Sequence, residues 1–209
     1  GFVWKLEKLC RNKALKAAVE KPEKVKLFLN VDGNIIQDKA FIQGFTNRKA
    51  MKAGVPASDI VFEITERSDI ENYQILQQIM KHYADQGYEI ALDDVGAGHS
   101  GLNRVVNTTP DYLKADIELV RDIYKYKKKE IMMKLLLDYC NATGAILIAE
   151  GIETAQELEC LHSLGVHYGQ GFFLGKPERA FGNISAESEE ILERLNGRKN
   201  ILFLDISGK

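Results

Sequence analysis

The sequence predicts an α/β fold in which a parallel β-sheet is covered by helices. Short and almost wholly apolar runs alternate with longer stretches whose apolar residues recur every three or four positions. Strands of this kind, separated by helices, are typical of a parallel sheet that is buried on both faces. Hydrophobic residues make up 45% of the 209 residues and charged residues 28%, which is ordinary for one globular domain or two small ones.

Six strands are predicted, and five of them are clear. The clear strands cover residues 25–31, 60–65, 88–93, 112–115 and 145–150. A weaker sixth strand lies near residues 167–173. β-branched and aliphatic residues dominate the clear runs, which favours strands over helices there.

Helices are predicted between the strands. The opening helix has one apolar face, and we expect that face to be buried; it consists of Phe2, Leu6, Leu9, Cys10 and Leu15. A second helix, over residues 70–83, also repeats apolar residues at helical spacing. Capping boxes that begin at Ser68 and at Thr154 mark two helix starts.

The C-terminal tail is predicted to differ from the rest of the chain. Residues 1–180 have no composition break and form one predicted domain. In residues 181–209, a helix with an acidic first turn begins near Ser185 and ends at the turn dipeptide Asn196-Gly197. The apolar run 201–206 then predicts a strand that completes or extends the sheet at an open edge. An ordinary terminal strand, or a linker into a further domain, is the alternative.

Charge and cysteine content exclude several classes of protein. Lys and Arg total 28 against 30 for Asp and Glu, so the balance argues against binding to a nucleic-acid polymer. No apolar run approaches the roughly 18 residues that span a bilayer, so we expect no direct membrane insertion. Three widely spaced cysteines with no CxxC pair argue against a disulfide framework and predict a reducing, cytoplasmic location.

Polar side chains recur at the ends of the predicted strands, about once per β-loop-α unit. Any one of these acids alone is as easily explained as a helix cap or a solvated loop residue. As a set they are predicted to converge, because all strands of a (β/α) barrel end at the face that carries the active site. The set consists of Asn30, Glu63, Asp93, Asp94, Asp116 and Glu150, with Lys114 beside them.

This convergence predicts a metal site. Several carboxylates at one mouth raise each other's pKa unless cations neutralise them. Ligand sets made only of oxygen select hard ions such as Mg²⁺ or Mn²⁺. The adjacent pair Asp93-Asp94 suits the bridging of two ions, an arrangement that favours phosphodiester hydrolysis.

The same segments carry the motifs of a known family. The blocks LNV at 29–31, FEITER at 62–67, ALDDVGAGHS at 91–100 and LKAD at 113–116 follow one another in order. AEGIET at 149–154, GQGF at 169–172 and KP at 176–177 complete the series. Over residues 1–180 the sequence resembles the EAL domain, the bacterial phosphodiesterase that hydrolyses cyclic di-GMP to linear pGpG. The resemblance implies a modified TIM (β/α) barrel.

The resemblance implies two ions, Mg²⁺ or Mn²⁺, as cofactors. One metal is expected to be bound by Asn30, Glu63 and Asp93. The second is expected to be bound by Asp93, Asp94 and Glu150, so that Asp93 bridges the two.

The resemblance also implies roles outside the metal ligands. Lys114 is expected to orient the attacking water or stabilise charge on the phosphate, and Asp116 to hold Lys114. Glu66 is expected to secure the glycine-rich loop VGAGHSG at residues 95–101. Glu153 is expected to contact a guanine, and Gln170 to line the site.

One departure from the family is prominent. The Glu-Ala-Leu triplet that names the family occurs nowhere in these 209 residues, so we expect the barrel to lack its first strand, either because that strand precedes Gly1 or because it has been lost. A catalytically inactive receptor or protein-interaction domain is therefore an alternative to the enzyme, and an unrelated metal-dependent barrel enzyme is a third. Expected partners are cyclic di-GMP, a second copy in a homodimer, and an upstream regulatory domain of the sensor or diguanylate-cyclase-like kind.

Overall fold

The computed structural model describes residues 2–32, 35, 38–64, 73–96, 101–178 and 181–196. Its helices are α1 (Phe2–Ala17), α2 (Phe45–Ala53), α3 (Tyr73–Ala84), α4 (Gly101–Asn107), α5 (Ile117–Val120), α6 (Lys127–Thr143), α7 (Ala155–Leu164) and α8 (Ala186–Asn196). Its strands are β1 (Leu27–Val31), β2 (Ile60–Ile64), β3 (Glu89–Val95), β4 (Tyr112–Ala115), β5 (Ile146–Ala149) and β6 (Tyr168–Gly169). The alternation of strands and helices confirms the predicted α/β class.

The strands form a parallel sheet whose hydrogen-bonded order follows the chain from β1 to β6, and the described pairings leave this sheet open. On β1 and β2, Asn30 is the register partner of Glu63, and Glu63 is in turn the partner of Ala91 on β3. On β4 and β5, Lys114 is the partner of Ile148. The six strands predicted in residues 1–180 are all present; β4 has the predicted ends, and no end of the other five shifts by more than four residues.

The described residues fall into two compact units. The first runs to Leu92 and includes Asn103–Pro110, and the second consists of Asp93–Leu102 and the chain from Asp111 onward. The predicted division at residue 180 stays a prediction. In the described part of the chain, no helix is both long and apolar enough to cross a membrane.

In the first unit, α1 buries a different face from the predicted one. Its buried residues are Trp4, Arg11 and Leu15. Of the predicted face only Leu15 is buried, and the exposed residues are Phe2, Leu6, Leu9 and Cys10. The prediction was wrong because apolar spacing alone gives no weight to a buried arginine.

An ion pair with Glu7, one turn earlier on α1, and a set of surrounding aromatic rings explain why Arg11 lies inside. Its guanidinium carbon lies 5.4 Å from the ring centre of Trp4, 5.1 Å from that of Phe62 and 5.8 Å from that of Tyr83. The guanidinium also donates a hydrogen bond of 3.1 Å to Thr46 Oγ1. Cation–π contacts gain strength when the charge is removed from water, so this aromatic cluster fixes the rotation of α1.

In the second unit, the two C-terminal helices begin as predicted. Thr154 caps α7, and the capping box with Glu157 is complete. Helix α8 is held at its start by Ser185 and Ser188, whose hydroxyl groups each donate a 2.8 Å hydrogen bond to the carbonyl oxygen of Phe173. The predicted capping box at Ser68 and the predicted strand 201–206 lie outside the described residues.

Candidate metal and catalytic site

The two adjacent aspartates at the end of β3 serve one cluster, although neighbours in a strand normally point to opposite faces. The backbone accounts for this. Asp94 has a φ of 57°, in the left-handed region that residues with a side chain rarely adopt. The regular alternation is interrupted there, and strain of this kind is concentrated at functional sites.

Lys114 lies on β4 between two acids from the neighbouring strand ends. Its ammonium nitrogen is 2.9 Å from Asp93 Oδ1 and 2.6 Å from Glu150 Oε1. The side chain of Lys114 is 4% exposed. Charge-assisted hydrogen bonds in such a protected position are strong and hold all three groups in place.

A group of three carboxylates results. Asp93, Asp94 and Glu150 each offer an oxygen, and these oxygens lie within 4.8 Å of one another. Burial raises the pKa of Glu150 to about 8, an effect that Lys114 opposes and Asp93 reinforces. One ammonium cannot neutralise three ionised carboxylates, so the cluster keeps excess negative charge when ionised.

This donor set fits a hard divalent cation. All three side chains supply oxygen, which Mg²⁺ and Mn²⁺ prefer. The excess negative charge and the raised pKa of Glu150 both indicate a place where a cation lowers the energy of the ionised cluster. Three of the predicted ligands therefore come together.

Two further predicted ligands lie in the first unit, at the carboxyl ends of β1 and β2. Asn30 and Glu63 are direct cross-strand neighbours in the parallel ladder. Glu63 is 6% exposed, and a glutamate is rarely buried to this extent unless it is paired. Their part in metal binding stays a prediction. Glu66 lies outside the described residues.

Asp116 follows β4 and begins α5. Its Oδ1 accepts a 2.7 Å hydrogen bond from the backbone N–H of Glu118, and its own N–H donates to Val95 O at 3.1 Å. Asp116 is therefore an N-cap of α5 that also ties the end of β3 to the start of α5. Its predicted hold on Lys114 stays a prediction.

The loop after β5 carries Glu150 and Glu153 and is fixed by its backbone. Glu150 N donates to Ala115 O at 3.0 Å, and Ile152 N donates to Gln170 O at 3.1 Å. A Cβ added to Gly171 would lie 2.2 Å from Ile152 N and O, so the segment after β6 presses directly against this loop. Glycine is the residue that permits such close approach.

Glu157 on α7 and Arg121 at the end of α5 both contact this loop, and neither was predicted from the sequence as a functional candidate. Glu157, which the sequence marks only as part of a capping box, accepts a 2.9 Å hydrogen bond from the backbone N–H of Glu153. The Arg121 guanidinium lies 3.7 Å from the Glu153 carboxylate. The capping-box pattern that begins at Thr154 is the signal in the sequence that points to Glu157.

The fold and the site together define an α/β protein of the TIM-barrel type, with carboxylates for divalent cations at the ends of its strands. The family model of the EAL domain matches residues 2–177. The chain belongs to the EAL domain family. This membership confirms the resemblance and the fold class, and it removes the unrelated barrel enzyme as an alternative.

Curated relatives and solved structures support the assignment. The chain is 25% identical over 150 residues to cyclic di-GMP phosphodiesterase PdeB of Shewanella oneidensis, which covers 72% of this chain and 17% of the relative. It is 29% identical over 142 residues to PdeF of Escherichia coli, covering 68% of this chain and 19% of the relative. The chain thus spans less than a fifth of these relatives.

Two solved structures match over most of the chain. A manganese and cyclic di-GMP complex of Klebsiella pneumoniae BlrP1 matches with a TM-score of 0.81 and 28% identity, covering 87% of this chain and 47% of that one. A standalone EAL protein from Vibrio cholerae, in its cyclic di-GMP-bound form, matches with a TM-score of 0.79 and 27% identity. The second match covers 88% of this chain and 78% of that one.

Proposed function

We propose that this chain hydrolyses cyclic di-GMP to linear pGpG with two divalent cations, Mg²⁺ or Mn²⁺. The observation that carries the proposal is the cluster of Asp93, Asp94 and Glu150 around Lys114. Membership of the EAL domain family and relatives named cyclic di-GMP phosphodiesterases support the choice of substrate.

The metal ligands follow from the strand ends. We propose that Asp93, Asp94 and Glu150 bind one ion, and that Asn30 and Glu63 join Asp93 at the other. Bound divalent cations supply a hydroxide near neutral pH and polarise the attacked phosphate. Asp93 is central to the proposal because it serves both ions.

The chain's own residues complete the chemistry. Lys114 is fixed by two acids, so its charge is already in place where negative charge develops on the phosphate, and no reorganisation is needed during the reaction. Glu153 lies on the loop after β5, and Gln170 follows β6; the hydrogen bond from Ile152 N to Gln170 O joins these two segments. We propose that both side chains bind the nucleotide. Glu66 is proposed to secure the glycine-rich loop, and Asp116 to support Lys114.

A hydrolysis assay with Mg²⁺ or Mn²⁺ tests the proposal, with pGpG separated by chromatography. Asp93→Asn should abolish metal-dependent turnover and leave the fold intact, because the amide is nearly isosteric but is a poorer ligand. The matched control is Asp85→Asn, which removes an exposed aspartate that pairs with Lys81 on α3 and should not change turnover. Equal activity in both variants would refute the two-metal proposal.

One observation favours a second candidate function, a catalytically inactive receptor or protein-interaction domain. The Glu-Ala-Leu triplet, whose glutamate is expected from the family to bind the first metal, does not occur within these 209 residues. Binding of cyclic di-GMP, measured by calorimetry with and without metal, separates the two. Tight binding with no pGpG formed identifies the receptor.

We also propose a homodimer, with α6 as the contacting helix. Ile131 and Leu135, one helical turn apart, are 52% and 58% exposed, and Met132 beside them is 37% exposed. Exposed apolar stripes of this kind mark protein interfaces. Leu135→Glu should give a monomer in sedimentation velocity, whereas Lys134→Glu on the same helix should not.

We also propose a cytoplasmic setting and an upstream regulatory domain. Cys10, Cys140 and Cys160 are free, which suits a reducing cytoplasm. An upstream regulatory domain, of the sensor or diguanylate-cyclase-like kind, is proposed from the family and from the much greater length of the relatives.

A further inference from the structure

The carboxylate of Glu157 is buried at the start of α7 and accepts hydrogen bonds from three backbone N–H groups. Its Oε1 accepts from Asp122 N at 2.8 Å, and its Oε2 accepts from Glu153 N at 2.9 Å and from Thr154 N at 3.0 Å. The residue is only 3% exposed. Burial of a carboxylate is costly unless its charge is satisfied, and here backbone donors satisfy it.

These contacts exceed what a helix cap requires. A capping box needs the bond to Thr154 alone. The bonds to Glu153 and Asp122 reach outside the helix, and Asp122 lies 35 residues away in the sequence. Asp122 also has a φ of 56°, a conformation that costs energy for a non-glycine residue. Glu157 therefore holds two separate segments in one arrangement.

Both of these segments determine where Glu153 lies. The backbone of Glu153 is held directly by Glu157, and the Arg121 guanidinium, next to Asp122 in the chain, lies 3.7 Å from the Glu153 carboxylate. Glu150 is three residues earlier on the same loop. The position of the Glu153 carboxylate thus depends on where Glu157 places both segments.

We propose that Glu157 is a positioning residue that fixes Glu153 for its contact with the guanine of cyclic di-GMP. The inference rests on the proposed function and deepens it, since it concerns binding of the base and not the metal chemistry. The carboxylate of Glu157 accepts from the backbone N–H groups of Asp122, Glu153 and Thr154, and none of these three residues is a proposed metal ligand. Its loss should weaken substrate binding, because a loop displaced by a fraction of an ångström no longer presents Glu153 correctly.

Two substitutions of Glu157 distinguish its hydrogen bond to Asp122 from its hydrogen bonds to Glu153 and Thr154. Glu157→Gln keeps the volume and one oxygen, which suffices for Glu153 and Thr154 but turns an N–H donor toward the N–H of Asp122. Glu157→Ala removes all three acceptors. The matched control is Met133→Ala, which opens a cavity at a residue 0% exposed on α6 and lowers stability without removing a polar contact of the loop.

Affinity for cyclic di-GMP is measured by calorimetry on the full chain in EDTA, so that no turnover occurs. Amide chemical shifts and hydrogen exchange of Asp122, Glu153 and Thr154 are followed by NMR. Glu157→Ala should lose protection at all three amides and bind about tenfold more weakly. Glu157→Gln should lose protection only at Asp122 and bind with an intermediate affinity, which keeps the test valid if the alanine variant does not fold. Met133→Ala should bind like the wild type.

Wild-type affinity in a variant whose amides are displaced would overturn the inference, and so would an equal loss of affinity in Met133→Ala. Failure of the wild-type chain to bind cyclic di-GMP both in EDTA and with added Mg²⁺ or Mn²⁺ would instead overturn the proposed function. The amide measurements keep the two failures distinguishable, because they report on Glu157 without any ligand.

Discussion

Replacing Lys114 by methionine removes the ammonium group that lies between two acids and leaves its apolar stem. Lys114 is 3% exposed and its nitrogen lies 2.9 Å from Asp93 and 2.6 Å from Glu150. Removing one partner from a buried ion pair typically costs about 3–5 kcal/mol. Burial raises the pKa of Glu150 to about 8 even with Lys114 beside it, so Glu150 is largely protonated near neutral pH and loss of the ammonium leaves chiefly Asp93 without its counter-charge. We therefore expect Lys114→Met to lower the free energy of unfolding of the metal-free chain by about 3 kcal/mol, the lower end of this range.

Urea unfolding in EDTA measures this loss as a change in the free energy of unfolding. The matched control is Lys26→Met, which removes a lysine of similar chemistry that is paired with Glu89 but is 27% exposed. Half-exposed ion pairs contribute little, so this variant should lose less than about 1 kcal/mol. Because Lys114→Met leaves three carboxylates without their cation, added Mn²⁺ should stabilise it more than it stabilises the wild type.

The refuting result has two parts. A loss in Lys114→Met no larger than that in Lys26→Met means that the cluster does not depend on the buried ammonium. Equal stabilisation of wild type and Lys114→Met by Mn²⁺ means that the three acids do not act together on a cation.

Two further predictions concern packing and burial. Gly171→Ala should lower the free energy of unfolding by about 3 kcal/mol, because the new Cβ meets the backbone of Ile152 at 2.2 Å; Gly54→Ala, where nothing lies within 4 Å and φ is +70°, should cost only about 1 kcal/mol. Similar losses in the two variants, measured by urea unfolding, would contradict the crowding argument. With Ellman's reagent at mildly alkaline pH, the exposed Cys10 should react fast. Cys140 should react only as the chain unfolds, since burial raises its pKa to about 11. Equal rates would show that Cys140 is accessible.

The strands up to residue 180 and the helices α1 and α3 could be predicted because apolar runs and apolar periodicity record burial directly. The starts of α7 and α8 were predicted from their capping and first-turn residues, whereas α2, α4, α5 and α6 were not predicted individually. The burial of Arg11 was not predicted, because it depends on the rings of Phe62 on β2 and Tyr83 on α3 as well as on its partner Glu7 on α1. A single sequence does not show such long-range contacts, and the predicted buried face of α1 was therefore wrong.

The candidate site was predictable as a set of strand-end acids but not in its detail. That Lys114 pairs with both Asp93 and Glu150 follows from the adjacency of strands, which topology fixes and local sequence does not. The three backbone N–H donors of Glu157 come from two segments, so a capping-box pattern could reveal only part of its role. Contacts between distant segments are the common feature of what the sequence did not reveal.

Asp94 is both a proposed metal ligand and a residue with a left-handed backbone conformation. Two substitutions distinguish the effect of its carboxylate from the effect of its backbone strain. Asp94→Gly and Asp94→Ala both remove the carboxylate, so both should lose stabilisation by Mn²⁺ to the same extent. They differ at the backbone: alanine at a φ of 57° is strained by its Cβ, whereas glycine adopts this region freely, although it gains entropy in the unfolded chain. The glycine variant should therefore be more stable by about 1 kcal/mol in EDTA. Urea unfolding of the two variants measures the difference. Equal stability would mean that the backbone at Asp94 relaxes once the carboxylate is gone, and hence that the cluster of acids, and not the chain around it, imposes the left-handed conformation.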